Sequence, residues 1–120
     1  MATSVELTTQ AEAEELFARE GAVLLFKHST RCGISAGAAR QVDRFQKEHP
    51  DLPVTWARVL VVENRGLSRW LTEHLSMIHE SPQLILTIDG KAVWDTSHHY
   101  IEEREITSAL TERGLMSAGK

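Results

Sequence analysis

"AVLLFKHSTRCGIS", residues 22–35, runs from a continuous apolar stretch into the only cysteine of the chain and a serine three places later. The stretch from Ala22 to His28 follows Gly21 and is too short for a typical helix. It reads as a strand buried on both faces, as in a parallel or mixed sheet. Beyond the cysteine, Ala38, Val42 and Phe45 recur at three or four residues, which marks a helix. That helix ends near His49, because Pro50 disfavours helical geometry in the residue before it. Cys32 therefore stands between the end of a strand and the start of a helix.

Working outward, "TTQAEAEELFAREG" reads as an N-terminal helix. Thr9 and Glu12 have capping-box spacing, Leu16 and Phe17 supply an apolar edge, and Gly21 suits the exit. "LPVTWARVLVV" predicts a second strand over Val54 to Val62. Asn64 then caps a helix bearing Leu67, Trp70, Leu71, Leu75 and Ile78. "PQLILTIDGKAVWDT" predicts a hairpin turning at Asp89-Gly90. A last helix over Glu102 to Arg113 buries Ile106 and Leu110 and stops at Gly114, with residues 115–120 expected as a flexible tail. The order is α, then β-α-β-α-β-β-α, the element order of the thioredoxin fold. The expected class is α/β and thioredoxin-like: a central mixed four-stranded sheet flanked by helices, with an extra N-terminal helix, in one domain over residues 1–120.

A chain of 120 residues supports one hydrophobic core. The composition, 42% hydrophobic and 25% charged, is that of an ordinary globular protein. A formal net charge of −4 with interspersed signs argues against nucleic acid as the main partner, since phosphate contacts need clustered Lys and Arg. No apolar run approaches the roughly 18 residues of a membrane span. The acidic N-terminus lacks the pattern of a signal peptide, and a single cysteine makes a reducing cytoplasm the expected location. Six histidines invite a metal reading. Yet His98 and His99 are adjacent, His74 and His79 are five apart, and no Cys-x-x-Cys or His-x-x-x-His pattern occurs, so no metal is expected. Trp56, Trp70 and Trp94 read first as packing residues.

The chemistry of Cys32 turns on its thiolate. At an ordinary pKa of about 8.5 only ~3% is ionised at pH 7. A fall of about two units makes it ~75% thiolate and needs roughly 2.7 kcal/mol of differential stabilisation. A helix N-terminus supplies about 0.3–1 kcal/mol, or ~2 when partly buried. The N–H groups of Ile34 and Ser35, following Gly33, are candidates for the remainder, as is the Ser35 hydroxyl, which otherwise reads as a helix cap. Lys27 and Arg31 add positive charge nearby, in an orientation the sequence leaves open. His28, four residues before Cys32, reads first as an exposed strand-end residue and second as a neighbour of the cysteine. A Cys-x-x-Cys site resolves its mixed disulfide with the second thiol. Ser35 cannot do so, and the site is a monothiol.

In thioredoxin-like folds a cis proline commonly precedes the third strand, beside the active cysteine. Pro82 holds that place, and the backbone of Ser81 is then free to pair with an extended substrate. "KHSTRCGISAGA", "VVENRGLSRWL" and "HESPQLILTIDGKAVWDTSHHYI" together resemble segments of the monothiol bacilliredoxins, proteins of the bacillithiol redox system. The resemblance runs from about Phe26 to Ile101. It implies that Cys32 attacks the bacillithiol sulfur of a protein–bacillithiol mixed disulfide. Bacillithiol, a cysteinyl glucosamine-malate thiol of certain bacteria, is then the thiol co-substrate, with no bound cofactor. Its partners are bacillithiolated client proteins, and free bacillithiol or a dedicated reductase for recycling. Gly33 departs from the family, which usually carries proline there, and loosens the helix entry. Two rival readings are a monothiol glutaredoxin-like protein acting on glutathione adducts, and a non-catalytic thioredoxin-fold interaction module.

Overall fold

Seven residues of the central strand set the architecture. The computed structural model describes residues 4–31 and 33–117. Its elements are β1 (Ser4–Glu6), α1 (Gln10–Ala18), β2 (Ala22–His28), α2 (Gly33–Glu48), β3 (Val54–Leu60), α3 (Arg65–His74), β4 (Gln83–Ile88), β5 (Lys91–Ser97), a 3-10 turn (His98–Tyr100) and α4 (Glu103–Glu112). The strands form one sheet in the order β1-β3-β2-β4-β5. β3 runs parallel to β1 and β2, whereas β4 runs antiparallel to β2 and β5. Leu24 at the middle of β2 pairs with Trp56 on one side and Leu86 on the other.

Alternation along β2 divides the core, because successive side chains leave a strand on opposite faces. Val23 and Leu25 join Leu16, Phe17, Leu67 and Leu71 under α1 and α3. Ala22, Leu24 and Phe26 join Ala38, Val42, Phe45, Ile106 and Leu110 under α2 and α4. Trp56 is buried in this second layer, and Trp94 packs against its edge. No helix among the described residues is long and apolar enough to cross a membrane.

The sheet has five strands where four were expected. The extra strand, Ser4–Glu6, is short and exposed, with no alternation to reveal it. Backbone pairing to β3 holds it, and the Leu7 N–H extends that pairing to the Arg58 carbonyl at 2.8 Å. Elsewhere local chemistry matches the sequence reading. Thr9 and Glu12 form the full capping box of α1. Asp89 and Gly90 both have positive φ, 52° and 82°, as a two-residue hairpin turn of type I′ requires.

Three further expectations change. Asn64 occupies the N-cap of α3, but its side chain makes no capping bond. That helix ends at His74, so Ile78 lies beyond it and is 81% exposed. Leu115 and Met116, expected in a flexible tail, pack against the second core layer, and Leu115 N–H donates to the Leu110 carbonyl at 2.9 Å.

Candidate functional site

β2 delivers His28 and Lys27 to opposite faces at its C-terminal end. His28 faces α2 and is half-buried, its ring stacked on Phe26 at 5.4 Å between centroids. Its Nδ1 lies 2.8 Å from Ser35 Oγ. The same oxygen accepts the Ser29 N–H at 2.9 Å. Burial, and then the Arg58 guanidinium, lower the His28 pKa and favour the neutral ring. In that form the Ser35 hydroxyl donates to Nδ1 while it accepts from Ser29. Ser35 is fully buried, and its hydroxyl is occupied in closing the β2–α2 turn.

The outer side of this turn is fastened to the β3–α3 corner. Thr30 Oγ1 donates to Glu63 Oε2 at 2.8 Å, a bond that holds the Glu63 carboxyl below its usual range. The Val61 N–H donates to the His28 carbonyl at 2.9 Å. Gly33 and Ile34 begin α2 and are exposed. The first-turn N–H groups of a helix have no intrahelical acceptor, which leaves those of Gly33, Ile34 and Ser35 suited to an anion. Cys32, which directly precedes them in the chain, lies outside the described residues.

The Ser81–Pro82 peptide is cis. Pairing of Lys27 with Gln83 sets this peptide beside the end of β2, on the strand next to the β2–α2 turn. Pro82 is buried, and its carbonyl accepts the His98 N–H at 3.1 Å. Ser81 Oγ is buried without a hydrogen-bond partner among the described residues. His98 adopts a φ of 56° and places Nε2 2.8 Å from Glu80 Oε1. It thereby fastens the 3-10 turn to both sides of the cis peptide. His98 and His99 also line, with Gly33 and Ile34, a pocket of about 600 Å3. Segments distant in sequence thus meet around the start of α2.

Lys27 lies on the other face, against α3, and is fully buried. Its ammonium has three donors. They reach Thr72 Oγ1 at 2.9 Å, His79 Nδ1 at 2.7 Å and Gln83 Oε1 at 3.1 Å. Gln83 Nε2 continues the network to the Ile78 carbonyl and to Asp95 Oδ2. Burial pushes the Lys27 pKa down to about 8, with Glu80 opposing. Burial and then the Lys27 charge lower that of His79.

One expectation is corrected here and one orientation is settled. Lys27 belongs to a buried network on the face away from α2. His28 is no exposed strand end but the partner of Ser35. Alternation along "AVLLFKH" carries the signal for both, since it groups Lys27 with Val23 and Leu25 and groups His28 with Leu24 and Phe26. His79, Gln83 and Glu80 carry no comparable local signal. Among the described residues no group of three or more His, Cys, Asp or Glu side chains is arranged to hold a metal ion.

The chain matches the family model described as Monothiol bacilliredoxin BrxC over residues 5–106. A solved thioredoxin-fold structure, described provisionally as an oxidoreductase, is 27% identical, with a TM-score of 0.80 over 88% of this chain and 92% of its own. Thioredoxin from Fasciola hepatica is 23% identical, with a TM-score of 0.72 over 90% of this chain and 97% of its own. Thioredoxin from Trypanosoma brucei brucei is 13% identical at a TM-score of 0.73, over 91% and 92%. At such identities these two thioredoxins speak for the fold alone.

Proposed function

Because the chain belongs to the monothiol bacilliredoxin family, we propose that it removes bacillithiol from protein–bacillithiol mixed disulfides, with Cys32 as nucleophile. Family and fold together give it a thiol redox function. The observation that carries the finer reading is Ser35. The position where a dithiol site keeps its resolving sulfur holds a buried hydroxyl already bonded to Ser29 and His28. A sulfur without a resolving partner keeps what it accepts until another thiol arrives.

The Cys32 thiolate attacks the bacillithiol sulfur, and the client sulfur leaves as a thiolate that takes a proton. A Cys32–bacillithiol disulfide remains. The thiolate of free bacillithiol, or of a dedicated reductase, attacks the bacillithiol sulfur of that disulfide, forms a new disulfide with it and releases the Cys32 thiolate. The first-turn N–H groups of Gly33, Ile34 and Ser35 favour the thiolate. The backbone of Ser81, beside Pro82, is the contact we assign to an extended segment of the substrate.

Incubation with a bacillithiolated client, followed by intact mass, tests the reading. The expected result is movement of the bacillithiol mass onto Cys32 and recovery of the free client thiol. Equal transfer from a glutathionylated client would instead favour a glutaredoxin-like specificity. Absence of transfer from either would leave a non-catalytic interaction module.

A further inference from the structure

A second pocket, of about 430 Å3, opens between the β3–α3 corner, α3 and the segment that leads into the cis peptide. Arg65 and Arg69 line it from successive turns of α3, and neither pairs with a carboxylate among the described residues. Like charges four residues apart weaken a helix. Between them in sequence, Ser68 is 3% exposed and also lines the pocket, its Oγ without a hydrogen-bond partner among the described residues. A buried hydroxyl left unbonded is likewise unfavourable. An anionic ligand between the two guanidinium groups relieves their repulsion, and it would lie against the wall in which the Ser68 hydroxyl is buried.

The remaining lining is consistent with such a ligand. His79 lines the pocket while its Nδ1 faces the Lys27 ammonium at 2.7 Å. That contact makes Nδ1 the acceptor and leaves Nε2 as an N–H donor. Two arginines, two hydroxyl residues and a histidine therefore stand against a single carboxylate residue in the lining, Glu73. The pocket also adjoins the exchange site. Its lining residue Val61 is hydrogen-bonded to His28, and His79 lies two residues before Ser81.

We propose that this pocket binds a carboxylate carried by the molecule whose sulfur is exchanged at Cys32. The proposal rests on the thiol-exchange reading above. Two sources supply that chemistry: the malyl end of bacillithiol, or an acidic side chain near the client cysteine. Paired guanidinium groups suit carboxylates because each offers a fork of parallel donors.

The pocket is tested first with L-malate alone, by following backbone amide shifts of the whole protein. Saturable shifts at Ser68, Arg69 and Thr72 are expected, and they disappear in the R65Q/R69Q variant. If the wild-type protein shows no saturable shift there, the proposal is overturned, whatever the outcome with bacillithiol. Next, kcat/KM is compared for clients carrying bacillithiol and clients carrying its des-malyl analogue, cysteinyl-glucosamine. A wild-type preference of roughly tenfold for the malyl form is expected from charged hydrogen bonds. It falls towards unity in R65Q/R69Q and returns in part in R65K/R69K. A preference equal in the wild-type and R65Q/R69Q proteins overturns the malyl source. The client source is supported instead if changing Asp or Glu beside the client cysteine to Asn or Gln slows transfer only when Arg65 and Arg69 are intact. Wild-type protein that binds malate yet transfers no bacillithiol defeats the proposed function, not the pocket.

Discussion

A hydroxyl in the place of a resolving thiol serves two partners at once. Ser35 ties the end of β2 to the first turn of α2, through Ser29 on the backbone and His28 on the ring. Ser35→Ala leaves both without a partner, and each unsatisfied group costs about 1–3 kcal/mol when buried. We expect urea unfolding to show a loss of roughly 2 kcal/mol, while a thiol at Cys32 still accepts adducts. A loss below about 0.5 kcal/mol would mean that the hydroxyl does not hold the turn. Lys27 gives the second residue-scale prediction. Its pKa of about 8 lies below the ordinary 10.5, so between those pH values the unfolded chain binds a proton that the folded chain does not. Stability then rises with pH across that window. The stability of wild type relative to Lys27→Met should increase by roughly 3 kcal/mol between pH 7.5 and 10.5. A difference independent of pH would show that burial does not depress the lysine. At this scale the sequence was partly legible. Pro82 announces its cis bond by its place before the strand, and Ser35 its helix-start role by type and position. The Lys27 network is not readable, because its partners lie 45 to 56 residues away.

Among the elements, legibility follows how local the determining chemistry is. The α1 capping box and the Asp89-Gly90 turn are short-range and appear as read. β1 exists only because β3 offers an open edge, and nothing in three exposed residues reveals that. α3 stops before Ile78 because the chain turns at Ser76, whose φ is 55°, and the apolar spacing alone does not register the turn. Glycine substitutions probe the same distinction. A Cβ on Gly90 would strike the Phe17 carbonyl oxygen, and the φ of 82° is itself unfavourable for alanine. Gly66, on α3, has open space around its Cα and no positive φ. Gly90→Ala is expected to cost at least about 2 kcal/mol, whereas Gly66→Ala gains up to about 1 kcal/mol. Thermal melts that shift both variants in the same direction would contradict this.

Across the whole molecule, β2 separates two packed layers and is itself flanked by strands of opposite sense. The fold class could be read because the order of strands, helices and hairpin leaves few ways to bury so apolar a central strand. The division of labour between its faces could not. One face carries the His28–Ser35 closure, the other the Lys27 network and the arginine-lined pocket, and only the assembled sheet places both beside the cis peptide. At the opposite end of the sheet, Gly21 N–H donates to Asp89 Oδ1 at 2.7 Å, and Asp89 N–H returns a bond to the Gly21 carbonyl at 2.9 Å. These two residues are 68 positions apart. Gathering a free loop of that length costs roughly 4 kcal/mol in chain entropy before any contact repays it. During synthesis, then, the strand that leads to Cys32 can meet β3 early, but it remains open along its other edge until Gln83–Ile88 has been made.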